Sequence, residues 1–385
     1  MRIATLQFAP KLGDVKGNIE KANALLKSGK SLAVNGKNLG IGAELLKPDI
    51  LVLPELALTG YNFPSLEAIK AYAEPAGDGP SASWARETAK RLQCKVCVGY
   101  PEIERDSEKP DQVTYYNSLL IIDKNGDFTH NYRKTFLYDT DETWAAEGQA
   151  ERGFHHLEFS SQGKASTSES LGKENQQISS GQQEKRVATS FGICMDINPY
   201  KFEAPFDKWE FATRVLDSKS QLVILSMAWL TLLSREELDA LKNKPEMDTF
   251  NYWLRRFWPL LQKKMEHKVD IDGGEAADSP KKIIIVFANR SGEEPPTEDT
   301  KPPARYAGTS TIIAVTQRAP PNATKKEAES GAQIPDEQSE TEDVGNPFDV
   351  KILCWDMLGA SEEGICFADT TADPRMVFGL KKASE

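Results

Sequence analysis

The chain has 385 residues, of which 39% are hydrophobic, and carries a formal net charge of −11 at pH 7. No apolar run reaches about 18 residues, so the sequence predicts no membrane span, and the acidic balance argues against nucleic-acid binding through a broad basic face. The odd number of cysteines, five, fits a reducing compartment better than a disulfide framework. With no secretory signal at the start, we expect a cytoplasmic or nuclear protein.

Predicted strands and helices alternate through the first half of the chain. The apolar spacing predicts, in order, a strand Arg2–Phe8, a helix Asn18–Lys27 capped by Asn18, a strand Asp49–Leu53, a helix Ser81–Leu92 and a strand Cys94–Tyr100. A hairpin of Ser118–Asp123 and Phe128–Arg133 follows, and its Asn-Gly turn supplies the positive φ angles that such a turn needs.

The second half begins with a buried strand from Val187 that ends in a thiol, Cys194. Asp207 and Glu210 have the spacing of a capping box at the start of a helix. Further apolar strands are predicted at Leu222–Leu225, Ile283–Phe287 and Thr311–Ala314. This mixture of hairpins and crossovers predicts an α/β fold with helices on the outer faces of its sheets.

Three segments interrupt this pattern, at about 160–186, 234–270 and 317–346. The first is polar, with almost nothing to bury, and is predicted to be a solvated loop. The second is rich in aromatic residues and is expected to be helical and packed, with Tyr252–Trp258 in the core. The third is rich in Pro, Glu and Ser and is predicted to be a mobile excursion. None resembles a separate domain, so we expect a single domain over 1–385 with three insertions.

Three chemically useful side chains each follow a predicted strand. Glu55 comes after Leu51-Val52-Leu53-Pro54, Lys134 after the hairpin, and Cys194 after its buried strand. Hydrolysis of a carboxamide needs a nucleophile, a proton shuttle and a donor for the tetrahedral oxyanion, and a thiol, a carboxylate and an amine can supply these. Each residue alone has a plain alternative as a core thiol, a loop carboxylate or a surface amine.

Their order and their sequence contexts resemble the nitrilase superfamily of carbon–nitrogen hydrolases. The resemblance also includes the following segments: Arg2-Ile3-Ala4-Thr5-Leu6-Gln7, Tyr116-Asn117-Ser118, Ala288-Asn289-Arg290-Ser291-Gly292 and Gly308-Thr309-Ser310. It implies a four-layer αββα sandwich. It also implies Cys194 as the nucleophile, Glu55 as the general base and acid, and Lys134 as the oxyanion donor. A second acid often supports the lysine; we assign this role to Glu142, with Asp141 as the alternative.

Longer segments, among them the run from Tyr132 to Thr140, are similar to the protein N-terminal amidases of this superfamily. That resemblance implies a substrate with Asn, or also Gln, at residue one of a peptide or protein, and a product that enters an N-degron degradation pathway. We expect Asp196 to bind the substrate's α-ammonium; the alternative is that it only caps the turn before Pro199. Tyr61, Met227 and Trp229 are expected to line the pocket from loops after strands.

No cofactor or metal is predicted. Cys94 and Cys97 lie three apart on a predicted strand, so they point to opposite faces and cannot easily share a metal. His155 and His156 lack a third ligand at a usual spacing. Two other functions stay open: a small-molecule amidase or ω-amidase of the same superfamily, and a catalytically silent binding protein on the same fold. The sequence does not decide between a monomer and a homodimer.

Overall fold

The computed structural model describes residues 1–34, 37–106, 108–109, 111–160, 184–241, 243–267, 271, 280–298, 301–318 and 349–379. Most of the first and third predicted insertions therefore lie outside the described residues. No helix within these ranges is long and apolar enough to cross a membrane.

Seventeen strands are described, and most belong to two large sheets. They are β1 (Arg2–Gln7), β2 (Lys30–Val34), β3 (Lys37–Ile41), β4 (Ile50–Val52), β5 (Lys95–Arg105), β6 (Val113–Ile122), β7 (Phe128–Arg133), β8 (Phe154–Ser160), β9 (Glu184–Ile193), β10 (Leu222–Met227), β11 (Lys281–Asn289), β12 (Glu293–Glu294), β13 (Ala304–Arg305), β14 (Thr311–Arg318), β15 (Asp349–Met357), β16 (Gly364–Asp369) and β17 (Met376–Gly379).

Nine α-helices are described in the same ranges. They are α1 (Val15–Ser28), α2 (Ala43–Leu46), α3 (Leu66–Ile69), α4 (Pro80–Leu92), α5 (Asp139–Glu142), α6 (Glu210–Asp217), α7 (Arg235–Leu241), α8 (Met247–Arg256) and α9 (Pro259–Gln262). The last three lie in the second predicted insertion, whose described residues are largely helical and packed as the sequence predicts: Trp253 and Phe257 are fully buried.

The six-stranded sheet has the order β16-β1-β4-β5-β6-β7, and the seven-stranded sheet has the order β17-β15-β14-β11-β10-β9-β8. Strands β1, β4 and β5 run parallel in the first sheet, and β9, β10 and β11 run parallel in the second. The carboxyl ends of neighbouring parallel strands lie at one edge of each sheet, so the loops that follow them can share a site.

The two sheets face each other, and helices cover both outer faces. In β5, Val96 and Val98 pack with helices α1, α2 and α4, whereas Cys97 packs toward the second sheet. This alternation follows from the two-residue period of a strand. On the other side, helices α6, α8 and α9 pack against the second sheet. The architecture is the expected four-layer αββα sandwich, and Cys94 and Cys97 are core thiols on opposite faces of the first sheet.

Several local predictions are wrong in detail. Helix α1 begins at Val15, because the side chain of Asp14, not that of Asn18, accepts the hydrogen bond of the first turn from the Gly17 N–H. The predicted capping box at Asp207 does not form, since α6 begins after Trp209 with no side-chain cap. The segment predicted as a solvated loop up to residue 186 ends earlier, because β9 begins at Glu184.

Candidate active site

Three of the predicted residues meet where the two sheets end. Glu55 lies on the loop after β4, Lys134 directly follows β7, and Cys194 directly follows β9. The loop after β4 is held to the second sheet, because the Ser226 hydroxyl of β10 donates to the Leu53 carbonyl at 2.9 Å. The sandwich thus brings a carboxylate and an amine from one sheet to a thiol from the other.

Glycine lets β5 approach the Glu55 loop closely. A Cβ atom on Gly99 would lie 2.8 Å from the Glu55 Cα and 2.7 Å from the Leu56 nitrogen. Any side chain at this position would therefore push the loop, and with it the Glu55 carboxylate, away from the sheet.

A buried ionic cluster forms the centre of the site. The Lys134 ammonium donates to Glu55 Oε1 at 2.6 Å and to Asp141 Oδ2 at 2.5 Å, and all three side chains are fully buried. Asn117 Nδ2 bridges the same two carboxylates, donating to Glu55 Oε1 at 2.7 Å and to Asp141 Oδ1 at 3.0 Å. One ammonium and one amide thus hold two carboxylates in place.

The assignment of Glu142 as the second acid is wrong by one residue. Asp141 is buried against Lys134, whereas Glu142 is exposed. The short helix α5 explains this difference, because adjacent residues of a helical turn point about 100° apart. The Asp141 side chain faces the sheet and also accepts from the Tyr138 backbone N–H at 3.1 Å, so Glu142 faces solvent.

Burial and charge act in opposite directions on this cluster. Burial alone would lower the pKa of Lys134, but the carboxylates of Asp141 and Glu55 raise it above its ordinary value. Burial raises the pKa of Glu55, although the Lys134 ammonium acts to lower it, and the negative charge of Asp141 raises it further. The lysine therefore stays charged, and Glu55 takes up a proton more readily than an exposed glutamate.

Cys194 lies in a strained turn beside this cluster. Its φ angle of +40° lies in the left-handed region, which is costly for a residue with a side chain and is found most often at functional sites. Burial raises the pKa of its thiol, the Glu55 carboxylate raises it further, and Lys134 and the Ala228 N–H act to lower it. The ammonium favours the thiolate, but burial and Glu55 outweigh it, so the resting group is a thiol.

The prediction that Asp196 binds an α-ammonium is wrong. Its carboxylate is fully buried and accepts four hydrogen bonds, from the backbone N–H groups of Ile193, Thr135 and Phe136 and from the Tyr132 hydroxyl, at 2.7–3.0 Å. A carboxylate with this many donors has no free position for a ligand. Asp196 instead ties the nucleophile turn to the segment after Lys134.

The three predicted pocket residues have different environments. The Tyr61 hydroxyl donates to Asp141 Oδ2 at 3.3 Å, and its ring lies 5.6 Å from the Lys134 ammonium, so it borders the ionic cluster. Trp229 lies on the loop after β10 and packs against Tyr252. Met227 is the last residue of β10 and is fully buried in the core between sheets and helices, so its placement on a pocket loop is wrong.

Residues 2–197 match the family model described as carbon-nitrogen hydrolase. The chain belongs to this family. It is 30% identical over 319 residues to the protein N-terminal amidase of Saccharomyces cerevisiae, with the match spanning 68% of this chain and 64% of the yeast protein. It is also 30% identical over 348 residues to the protein N-terminal amidase of Schizosaccharomyces pombe, spanning 87% and 98% of the two chains.

Solved structures support the fold of this carbon–nitrogen hydrolase. A crystal structure of an N-terminal amidase superposes with a TM-score of 0.64 at 24% identity and covers 99% of both chains. A crystal structure of N-terminal amidase with an Asn-Glu-Ala peptide superposes with a TM-score of 0.65 at 22% identity, again over 99% of both chains.

Sequence reasoning missed several residues that hold the site of this hydrolase. Asn117 lies in a segment that carried the family resemblance, so that segment was the available signal, but its bridging contact was not foreseen. The Ala228 N–H, which donates to Glu55 Oε2 at 2.8 Å, gave no signal of residue type, because every residue except proline supplies a backbone N–H. Glu294 is buried and accepts from the backbone N–H groups of Tyr61 and Asn62, thereby fixing the Tyr61 loop.

Proposed function

We propose that this carbon–nitrogen hydrolase removes the side-chain amide of Asn or Gln at residue one of a peptide or protein, giving Asp or Glu and ammonia. The observation that carries the proposal is the buried Glu55–Lys134–Asp141 cluster beside the strained Cys194 thiol. Two relatives, each 30% identical to this chain and matched over 68% and 87% of it, are both named protein N-terminal amidase. They support the choice of substrate.

The first step is attack by sulfur. As the Cys194 sulfur bonds to the amide carbon, its proton passes to Glu55, and the carbonyl oxygen becomes an oxyanion. Glu55 Oε1 already accepts from Lys134 and Asn117, whereas Oε2 accepts only from the Ala228 N–H among the described contacts. Oε2 is therefore the oxygen with room for the proton.

Lys134 is well suited to hold the oxyanion. An ammonium has three N–H donors, and two of them are directed at Glu55 and Asp141. The third is left for the developing negative charge in a site that excludes water, where such a donor stabilises the transition state most.

The intermediate then collapses and is hydrolysed. Glu55 returns its proton to the amide nitrogen, the carbon–nitrogen bond breaks, and ammonia leaves a thioester on Cys194. A water molecule gives a proton to Glu55 and attacks the thioester carbon. When the carbon–sulfur bond breaks, the sulfur regains the proton from Glu55, and the new side-chain carboxylic acid of Asp or Glu is released and loses its proton to the solvent.

Peptides that differ only in their amino terminus test the substrate. A peptide beginning with Asn should release ammonia and gain about 1 Da, as expected for conversion of an amide to an acid through an acyl-enzyme, and its N-acetylated copy should not react. Equal turnover of the acetylated copy would indicate a general or small-molecule amidase. Release of no ammonia from any of these peptides would contradict the enzymatic proposal.

A thiol substitution tests the nucleophile. Cys194→Ala should lower ammonia release by at least about 10⁴-fold, because residues of a catalytic unit act together, with the melting temperature little changed. Cys94→Ala is the matched control, since Cys94 is a buried core thiol and not part of the cluster. Its loss should cost on the order of 1 kcal/mol of stability and leave turnover intact. Near-normal turnover by Cys194→Ala would refute the assignment.

The proposal extends to the setting of the enzyme. Conversion of residue one from Asn to Asp places a carboxylate on the protein terminus, and we propose that this product feeds an N-degron degradation pathway in the cytoplasm or nucleus.

A further inference from the structure

Four aromatic side chains form two ring pairs on the segments that follow the catalytic lysine and cysteine. They are Phe136, Tyr138, Tyr200 and Phe202, and we name this group the aromatic rim. The Phe136 and Tyr200 rings are 5.0 Å apart, and the Tyr138 and Phe202 rings meet edge-on at 6.4 Å. Tyr200 is 36% exposed and Phe202 is 56% exposed, so the outer half of the rim faces solvent.

The rim begins at the catalytic residues. The Phe136 N–H donates to Asp196, the residue that holds the nucleophile turn. The Tyr138 ring is half-buried, and its backbone N–H donates at 3.1 Å to Asp141, which is paired with Lys134. Tyr138 therefore adjoins the ionic cluster, and Phe202 extends the aromatic surface from Tyr138 to the outside.

The outer half of the rim has a strained backbone. Lys201 and Phe202 have φ angles of +52° and +55°, a conformation that costs roughly 1–2 kcal/mol per residue with a side chain. The same turn leaves a large apolar ring in water. Such strain persists where the surrounding structure enforces it, and it is concentrated at functional sites.

A buried arginine anchors the loop that contains this turn. Arg256 of α8 donates through Nε to the Ile197 carbonyl at 2.6 Å and through Nη1 to the Phe206 carbonyl, so it holds the loop on both sides of the rim. Its neighbour Tyr252 donates to Asn198 Oδ1 at 2.8 Å. The exposed rings are thus held in place before any ligand arrives, which lowers the entropy cost of binding.

The charges around the exposed Tyr200 ring are mostly negative, whereas at the inner end of the rim the Arg214 guanidinium lies 5.6 Å from the Phe136 ring. The Tyr200 hydroxyl donates to Glu147 Oε1 at 2.8 Å, and the carboxylates of Glu142 and Glu203 also act on it. One cation, the Lys201 ammonium, lies 5.6 Å from the centre of the Tyr200 ring. Aromatic faces flanked by carboxylates favour apolar or cationic side chains over acidic ones.

We propose that the aromatic rim contacts the second and third residues of the substrate peptide and favours apolar or cationic side chains there over acidic ones. This inference rests on the proposed function, because a chain whose first residue is held at Cys194 must leave past the surface that is continuous with the site. The Tyr138–Phe202 pair forms such a surface.

The wild-type enzyme provides the first test, with the peptides Asn-Leu-Gly, Asn-Lys-Gly, Asn-Gly-Gly and Asn-Asp-Gly. The leucine and lysine peptides should exceed the aspartate peptide in kcat/KM by about three- to tenfold, the size expected for one aromatic or cation–π contact. The lysine-to-aspartate ratio should fall as salt is raised from about 0.01 to 1 M, because salt screens exposed charges. The leucine-to-glycine ratio should not fall.

A matched pair of variants locates the effect. Phe202→Ala should bring the leucine-to-glycine ratio close to 1. Phe128→Ala removes a ring that is 44% exposed at the opposite end of β7 and should leave the ratio at its wild-type value. If Phe202→Ala does not fold, the peptide and salt series on the wild-type protein still tests the proposal.

The possible results separate the two proposals. Ammonia release from every Asn peptide with equal kcat/KM would overturn the rim and leave the amidase intact. Retention of the wild-type ratio by Phe202→Ala, or its loss in Phe128→Ala, would also overturn the rim. Failure of all Asn peptides to react would overturn the proposed function and the rim with it.

Discussion

Two adjacent residues, Arg133 and Lys134, build two ionic clusters of opposite character. Because strand side chains alternate, Arg133 points to one face and Lys134 to the other. The Arg133 guanidinium binds Glu102 and Glu104, stacks 3.8 Å from the Tyr116 ring and keeps 12% of its side chain exposed. The Lys134 cluster is fully buried.

The two clusters differ in what they leave unpaired. Every carboxylate oxygen of Glu102 and Glu104 accepts a hydrogen bond from Arg133, and none of the cysteines is recorded in contact with this cluster within the described residues. In the Lys134 cluster, one N–H of the ammonium and one acceptor position of Glu55 Oε2 have no hydrogen-bond partner among the described residues. Both groups lie beside the Cys194 thiol. A saturated ion-pair network stabilises the fold, whereas an incompletely saturated one beside a nucleophile can catalyse a reaction.

Replacing each cation by the other kind, Lys134→Arg and Arg133→Lys, should show the largest difference between the two clusters. Lys134→Arg keeps the charge but forces a larger planar group into a space with no exposure, so we expect kcat to fall by at least about 10³-fold through a misplaced oxyanion donor. Arg133→Lys loses the forked contacts and should lower the free energy of unfolding by about 1–2 kcal/mol, with kcat within about threefold of wild type. Ammonia-release kinetics and urea unfolding measure both, and equal effects of the two variants on kcat would contradict this view.

The adjacent acids Asp141 and Glu142 should show the next largest difference in their effects on kcat. Asp141→Asn keeps the shape of the side chain but removes a charge that holds Lys134, so we expect kcat to fall by about 10²-fold. Glu142→Gln is the control, because Glu142 is exposed, and it should change kcat little.

The pH profile of Asp141→Asn has a defined direction. Burial raises the pKa of Glu55, and the charge of Asp141 adds to this rise, so removing that charge lowers the Glu55 pKa. The base works only when ionised, and activity is lost as pH falls through its pKa. The acid limb of kcat/KM should therefore lie at lower pH in Asp141→Asn than in wild type or Glu142→Gln. A limb at higher pH would contradict the assignment of Glu55 as the base.

The sequence was sufficient to predict the strand ends that carry Glu55, Lys134 and Cys194, because an apolar run followed by a polar turn is a local signal. It could not separate Asp141 from Glu142, since the choice depends on the orientation of one helical turn against a strand. Asp196 was assigned to the substrate from its nearness to Cys194 in sequence. Its four hydrogen-bond donors come from two segments about 60 residues apart, and this contact depends on the tertiary fold.

The fold was predicted best where its elements are local. Strand β7 and helix α4 were found at or close to their observed bounds, because an Asn-Gly turn and helical spacing mark them. Strand β6 begins at Val113, five residues before the predicted start. Strands β15, β16 and β17 were not predicted. Strand β16 pairs with β1 from the other end of the chain, and no local pattern reports such a partner.

Glu74 is a third kind of buried carboxylate, because it forms no ion pair with any of the described residues. Its oxygens accept from the Ser81 hydroxyl at 2.7 Å and the Ser81 N–H at 2.9 Å. Burial raises its pKa from 4.5 to about 7, and the Ser81 donors offset only part of this rise. The folded protein therefore holds this proton more tightly than the unfolded chain does. The stability that this group contributes is full below pH 4.5 and is lost as pH rises to about 7.

Glu74→Gln should remove that dependence. Between pH 4.5 and 8 the free energy of unfolding of wild type should fall relative to the variant by up to about 3 kcal/mol, measured by urea unfolding at each pH. The glutamine oxygen can still accept the Ser81 N–H, so the helix start is kept. Glu67→Gln is the control, because the Glu67 side chain is 81% exposed and pairs with Lys70 at the surface, where such pairs contribute little. If the wild-type and Glu74→Gln curves run parallel across this range, burial without a cation is not what sets the proton affinity of this carboxylate.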